Sequence, residues 1–466
     1  ESCRGGNGRD RYADTEAART RRRGITGHLA LLRAAWKRYR LPLAFTEVHL
    51  GCTREEQMRW LKEAWDACCE AQRQGIDARA ITLWSLLGAY DWNSLVTRAA
   101  GHYEPGPFDL RAGTPRPTAV ARMAAALAHE GTFSHPVLDQ PGWWRRPIRF
   151  LPTKQRSQPA QRDACPIGGA PGPTRSRGSA ARPLLILGAG GTLGRAFAYV
   201  CRERALPCLL PTRAELEITN RDLLARYLDE REPWAVVNAA GRGRVDEAER
   251  EPERCYQQSV VGPQALASLC ATRALPLVTF SSDLVFDGGR REPYAESDVP
   301  RPLNTYGRCK REAEERVLDA YPGALVVRTS AFFGPWDVRN FLHQVLAALS
   351  SRQTFVALED VTVSPTYLPD LVGASLDLLI DGESGLWHVT NAGSATWLEV
   401  ARETAQRAGF DPATVRGQPL HQAGLAAPLP SFTALRSERG AILPTWAEAL
   451  GRFLHERTVN PPRDQI

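Results

Sequence analysis

Tyr306 and Lys310 stand four residues apart in "PLNTYGRCKREAEERVLDAYP". On a helix that spacing puts both side chains on one face. A tyrosine ordinarily ionises near pH 10, too high to exchange protons readily at neutrality. A lysine one turn away is expected to lower that pKa and to reach a bound ribose. Lys310 is one of only four lysines, with Lys37, Lys62 and Lys154, in a chain of 466 residues whose other cationic side chains are arginines. Asn304 fits as the N-cap of the helix that carries the pair. The apolar stretch "LPLVTFSSDLVFDG" brings Ser281 and Ser282 to a strand end before it. Carbonyl reduction needs a hydroxyl to orient the carbonyl, an acid for the new alkoxide and a cation behind the acid. Ser282, Tyr306 and Lys310 supply these in order, which makes them the catalytic candidates.

A hydride donor must then be held nearby. "LILGAGGTLGRAF" places Gly188, Gly191 and Gly194 after a strand and at the opening of a helix, with Thr192 and Leu193 between the last two. Such a turn lets backbone N–H groups and the helix dipole meet a pyrophosphate. The next strand ends in "LLPTRAELEIT", where Arg213 replaces the carboxylate that selects NAD. It is expected to meet a 2′-phosphate and favour NADPH, with NADH as the alternative. Glu217 and Thr219 fall near the adenine. Asn238, Ala239 and Ala240 close the following strand, and small residues there leave room for the ribose and nicotinamide.

The elements that must position these groups alternate. From Pro183, strand-like and helix-like stretches follow one another, the pattern of a Rossmann-type doubly wound parallel sheet in an α/β protein. The C-terminal third is expected to form a small substrate domain. Residues 29–150 read as α-β-α-β-α, with helical periodicity in "HLALLRAAWKRYR" and "REEQMRWLKEAWDACCEAQRQ" and apolar strands "PLAFTEV" and "AITLWSLLG". Residues 151–182 have the Pro, Gly, Ser and Arg content of a linker. Residues 1–28 read as a disordered basic segment and 458–466 as a tail, leaving 183–457 as the nucleotide-binding domain.

Bulk properties narrow the function. The 43% hydrophobic and 24% charged content is that of a soluble globular protein. No apolar run is long enough to span a bilayer, and the first residues lack the apolar core of a signal peptide. The formal charge of +7 comes from scattered arginines, which argues against a nucleic-acid partner. Ten irregularly spaced cysteines, with no metal-ligand spacing, point to reduced thiols in the cytoplasm.

"FSSDLVFDG", "PLNTYGRCK", "VVRTSAFFGP", "VTVSPTYLPDL" and "GLWHVTNAGSATWLEVAR" together resemble the dTDP-4-dehydrorhamnose reductase family, of the extended short-chain dehydrogenase/reductases, over residues 183–456. The resemblance implies NADPH-dependent reduction of the 4-keto group of a nucleotide-linked deoxysugar, with Mg2+ and a homodimer as family possibilities. It suggests substrate contacts at Asp283, Phe333 and Trp336. Leu284 stands where the family has an aromatic and Ala331 where it often has Trp, so the sugar stays open. An epimerase or dehydratase on the same fold and a non-catalytic NADP-binding subunit are the alternatives. Residues 29–130, through "PLAFTEVHLG", "AITLWSLLGAYDW" and "RAGTPRPTAVARMAAAL", resemble the end of a family-one-like glycoside hydrolase barrel, with Glu47 at the nucleophile position. Too few residues are present for a whole barrel, so this partial (β/α) fragment is expected to be inactive.

Overall fold

A computed structural model describes residues 4–6, 11–13, 25–97, 99, 101–146, 181–241, 245–336, 340–440 and 443–459. Most of the basic N-terminal segment, almost all of the linker and most of the tail expected from the sequence lie outside these residues. The chain forms two compact units, residues 1–110 with 114–181, and residues 111–113 with 182–466.

In the first unit the order is α1 (His28–Tyr39), β1 (Leu43–Val48), α2 (Arg54–Arg73), β2 (Ala78–Leu83) and, after short antiparallel pairs, α3 (Ala119–Glu130). β1 and β2 pair in parallel. Leu32 of α1, Cys68 and Ala71 of α2 and Ile76 and Ala78 beside β2 form their shared core.

The second unit is built on a six-stranded parallel sheet. Its strands are β3 (Leu184–Leu187), β4 (Cys208–Leu209), β5 (Ala235–Asn238), β6 (Leu277–Ser282), β7 (Leu325–Thr329) and, later in the chain, a strand at Gly385–His388. Their spatial order is β4-β3-β5-β6-β7 and then Gly385–His388. The order turns back between β3 and β5, the place where such sheets open a crevice. Every residue of β3, β5 and β7 is buried, as expected of a sheet covered on both faces. The covering helices include α4 (Thr192–Glu203), α5 (Arg221–Arg231), α6 (Gly262–Thr272) and α7 (Thr305–Ala320).

The run from Pro252 to Thr272 is helical throughout, as its place between β5 and β6 suggests, but it carries a π turn at Gln257–Val261 between a short helix at Pro252–Tyr256 and α6. Pro263 has no N–H to continue an i→i−4 ladder, and the wider turn re-registers the bonds before it.

After β7 the chain forms the C-terminal elements: β8 (Phe332–Phe333), α8 (Phe341–Ser350), β9 (Thr366–Tyr367), α9 (Leu368–Ile380), β10 (the Gly385–His388 strand), α10 (Trp397–Arg407) and α11 (Trp446–Val459). Phe333, Leu342, Leu346, Tyr367, Val400, Leu450 and Phe453 pack into a separate small core there.

A buried ion pair locks α7 onto the sheet. Arg328 of β7 donates Nε and Nη2 to the two carboxylate oxygens of Glu314, at 2.8 and 2.6 Å, with both residues buried. Arg328 Nη1 also meets His388 Nε2 at 3.3 Å, while His388 Nδ1 lies 3.1 and 2.9 Å from the carbonyls of Tyr294 and Arg436. Those partners fix a neutral imidazole, Nδ1 donating and Nε2 accepting, and burial pushes its pKa down to about 4. Removing one partner strands a buried charge, so Glu314→Gln is expected to cost about 3–5 kcal/mol of unfolding free energy. Urea denaturation measures this, and Glu314→Leu with Arg328→Met should recover most of it.

Candidate active site

The glycines of the first turn divide into two kinds. Gly188 has φ +78, and a Cβ on it would sit 2.6 Å from Ala240 N and 2.7 Å from Ala239 O. A Cβ on Gly194 would lie 2.2 Å from Gly188 O. These two let β5 and α4 close on the turn. Gly190 has nothing within 4 Å of a Cβ position, and Gly191, the N-cap of α4, meets only Gly188 O at 3.4 Å. The open side therefore lies over the start of a 12-residue helix with no acidic residue in its first turn. Amides and dipole there suit the pyrophosphate of a dinucleotide, and the residues fit that group. Thr192 and Leu193 begin the helix, but the Leu193 side chain is buried, so its expected cofactor contact reduces to its backbone.

The end of β5 is shaped by Asn238. Its Nδ2 donates to Thr279 Oγ1 at 3.0 Å and its Oδ1 accepts from Ala240 N at 3.2 Å, which fixes Ala239 and Ala240 beside the glycine turn. Arg213 lies on the loop after β4, more than half exposed, and pairs with Glu217.

The reacting groups converge on the same end of the sheet. The Asn304 side chain caps α7 by accepting from Gly307 N at 2.7 Å, as its position in the sequence suggests. Glu249 accepts from both Thr305 N and Thr305 Oγ1, at 2.6 and 2.8 Å. Lys310 Nζ stands 5.7 Å from the Tyr306 ring centre and donates to Phe280 O at 2.9 Å. It lies 3.7 Å from where a Cβ on Gly241 would be, which brings the lysine to the end of β5. Ser282 closes β6, its hydroxyl donating to Asp283 Oδ1 at 3.0 Å and accepting from Leu284 N at 3.2 Å. Tyr306, Lys310, Ser282 and the glycine turn thus come together.

The electrostatics differ from the sequence expectation. Burial pushes the Tyr306 hydroxyl above its ordinary pKa, the Asp283 charge adds to this, and the hydrogen bond with Ser282 opposes it. Burial also pushes Lys310 below its ordinary 10.5. Desolvation outweighs the Ser282 hydrogen bond, so Tyr306 is held protonated, the state a proton donor needs.

The three expected substrate contacts fare differently. Asp283 is buried, and its Oδ2 accepts from Ser330 Oγ at 2.7 Å and Thr433 Oγ1 at 2.8 Å while Oδ1 takes the Ser282 hydroxyl. Through the bond at Oδ1 it positions Ser282. Phe333 is a core residue, 5.4 Å from the Tyr367 ring and 5.7 Å from Phe453. Trp336 packs on Tyr199 of α4, ring centres 4.8 Å apart. Glu47 lies in the other unit, exposed on β1.

Gly307 belongs to the site as well, although the Tyr306–Lys310 spacing does not single it out; the Tyr-Gly doublet is its one signal in the sequence. A Cβ there would lie 2.1 Å from Leu284 O, so only glycine lets α7 approach the turn after Ser282. Gly307→Ala should shift Tyr306 against Ser282 and lower turnover about 100-fold, an effect expected of a displacement near 1 Å. Steady-state kinetics with a thermal melt as folding control measures it.

Comparison with known proteins agrees with this geometry. Residues 182–459 match the family described as the RmlD substrate binding domain. The chain is 35% identical over 266 residues to dTDP-4-keto-6-deoxy-D-glucose reductase of Streptomyces niveus, covering 57% of this chain and 90% of that one. It is 36% identical over 277 residues to dTDP-4-dehydrorhamnose reductase of Mycolicibacterium smegmatis, covering 58% and 84%. Among solved structures it resembles dTDP-4-dehydrorhamnose reductase of Bacillus anthracis in complex with NADP, with a TM-score of 0.57, 28% identity and coverage of 59% and 99%. A parallel sheet with a glycine turn and a Tyr–Lys helix at one end, matched over residues 182–459, makes this chain a member of the RmlD substrate binding domain family.

Proposed function

We propose that the domain of residues 183–457, within the second unit, is an NADPH-dependent reductase of the 4-keto group of a nucleotide-linked deoxysugar, converting dTDP-4-dehydrorhamnose to dTDP-L-rhamnose. The observation that carries this reading is the convergence of Ser282, Tyr306 and Lys310 with the open glycine turn in a chain of this family. When bound, the nicotinamide supplies the hydride. The open face at Gly190 and Gly191 takes the pyrophosphate, and Ala239 and Ala240 leave space for the ribose and ring. Ser282 turns its hydroxyl proton from Asp283 to the sugar carbonyl. Tyr306, kept protonated by burial, gives its proton to the alkoxide, and Lys310 stabilises the tyrosinate that remains.

Among the described residues no group of three or more His, Cys, Asp or Glu side chains is placed to hold a metal ion, and no step here uses the Mg2+ suggested by resemblance. No helix among them is long and apolar enough to cross a membrane. The reading places the enzyme in the cytoplasm, and every residue it invokes belongs to one chain, with no need of a homodimer. For the first unit we infer a glycoside-hydrolase-like (β/α) fragment. The parallel β1–β2 pair with its helices and the place of Glu47 support it, and residues 1–466 by themselves are expected to release no nitrophenol from aryl glycosides.

Turnover is read by loss of reduced-nicotinamide absorbance with dTDP-4-dehydrorhamnose. Tyr306→Phe should abolish it while retaining cofactor binding; purified protein carrying bound NAD and consuming no reductant would turn the assignment to an epimerase or dehydratase. Because burial lowers Lys310, its charge is lost below pH 10.5 as pH rises, and turnover should fall with it. Lys310→Arg, which keeps its charge, should move that alkaline limb upward at a lower plateau.

A further inference from the structure

Two thiols that the reaction does not use are buried against Tyr306. Cys255 stands on the short helix Pro252–Tyr256, and Cys309 stands on α7 between Tyr306 and Lys310. With Ala248 and Val260 they form one small apolar cluster, and Tyr306 packs against it. The two thiols share a hydrogen bond, and Cys255 Sγ also lies 3.9 Å from Ser259 Oγ on the π turn. The elements that carry the pair are clamped on either side of it. Glu249, just before the short helix, holds Thr305 at the start of α7, and the Tyr256 hydroxyl donates to Glu312 Oε1 at 2.9 Å. Two sulfurs held in this way have a high effective concentration for each other. A disulfide needs its sulfurs about 2.0 Å apart, far closer than a hydrogen bond leaves them. Because Thr305 and Glu312 are held, the segment between them must supply the movement, and that segment carries Tyr306 and Lys310.

We propose that Cys255 and Cys309 are a redox modification site, in which a peroxide joins them as a disulfide that staples the short helix to α7 and draws Tyr306 away from Ser282. The effect on turnover rests on the reductase reading of this domain. The thiolate is the attacking form. It is favoured on Cys255, where the Ser259 hydroxyl is placed to donate to it and the Lys310 charge is within electrostatic reach. Its attack breaks the peroxide O–O bond and leaves a sulfenic acid on Cys255, while the hydroxide released takes up the proton that the thiol gave and departs as water. The Cys309 sulfur then attacks the sulfenic sulfur, the S–O bond breaks, and that hydroxide departs with the Cys309 proton as a second water. Two thiols and one peroxide thus become one disulfide and two waters. The hydrogen bond with Cys255 and burial hold the Cys309 thiol above its ordinary pKa. The pair therefore stays reduced against brief exposure and closes under sustained peroxide, faster as pH rises.

The test exposes the full chain, reduced and then freed of reductant, to hydrogen peroxide and stops the reaction with catalase. Peptide mass analysis without reduction should find Cys255 linked to Cys309. Turnover of dTDP-4-dehydrorhamnose should fall about 100-fold in the linked protein, the loss expected of a displacement near 1 Å, and return with dithiothreitol. Cys255→Ala, compared with its own untreated rate, should keep its turnover through the same exposure. Absence of a Cys255–Cys309 peptide, a linked protein that turns over at the untreated rate, or an equal fractional loss in Cys255→Ala would overturn the proposal. Failure of the untreated wild type to reduce any 4-keto sugar nucleotide would count against the reductase reading, and the linked peptide would still decide whether the modification site exists.

Discussion

The reacting end of this enzyme hangs on one buried carboxylate. Asp283 takes hydroxyl hydrogens from Ser282 at the end of β6, Ser330 just after β7 and Thr433 from the segment before α11. Burial pushes its carboxyl above the ordinary range, and the three hydrogen bonds oppose that cost without cancelling it. The arrangement is expensive for stability, and its return is orientation. The serine hydroxyl is aimed, the sheet is tied to the C-terminal elements, and a negative field faces Tyr306. All three follow from one side chain.

The two halves of the site are built on different physics. At the cofactor end the backbone does the work: Gly188 and Gly194 allow contact between elements, while Gly190 and Gly191 leave a space that a Cβ would begin to fill. At the reacting end side chains do it, fixed by caps and by the Glu314–Arg328 pair at the far side of Lys310. The open backbone turn tolerates a cofactor that comes and goes, and the braced side chains hold the acid still between turnovers.

What was legible in the sequence was local. Strand–glycine–helix order, the Tyr306–Lys310 spacing and the Asn304 cap all depend on residues a few positions apart, and each stands where spacing put it. Partners that meet only in the fold were not legible. Nothing near Asp283 in the chain announces Ser330 or Thr433, so a residue that organises the site read as a sugar contact. Phe333 and Trp336 read the same way, because an aromatic after a strand end looks alike whether it faces a ligand or a core. The direction of the Tyr306 shift was missed for a related reason: helical spacing reveals a neighbouring cation but not the loss of water around the hydroxyl. In the first unit the order of helices and strands was legible from periodicity, since the strands and helices there are well separated in chain.

Thr433 lies 150 residues beyond Asp283, a separation with consequences for how the enzyme is made. At ribosomal rates of about 5–20 residues per second, roughly 8–30 s pass between synthesis of the two. The glycine turn precedes that interval and α7 is made within it, while the carboxylate waits for its last donor until the end. Completion of the Asp283 cluster is a late event set by loop closure over a long stretch of chain, and a chain that ends before Thr433 lacks one of the three donors that hold the carboxylate.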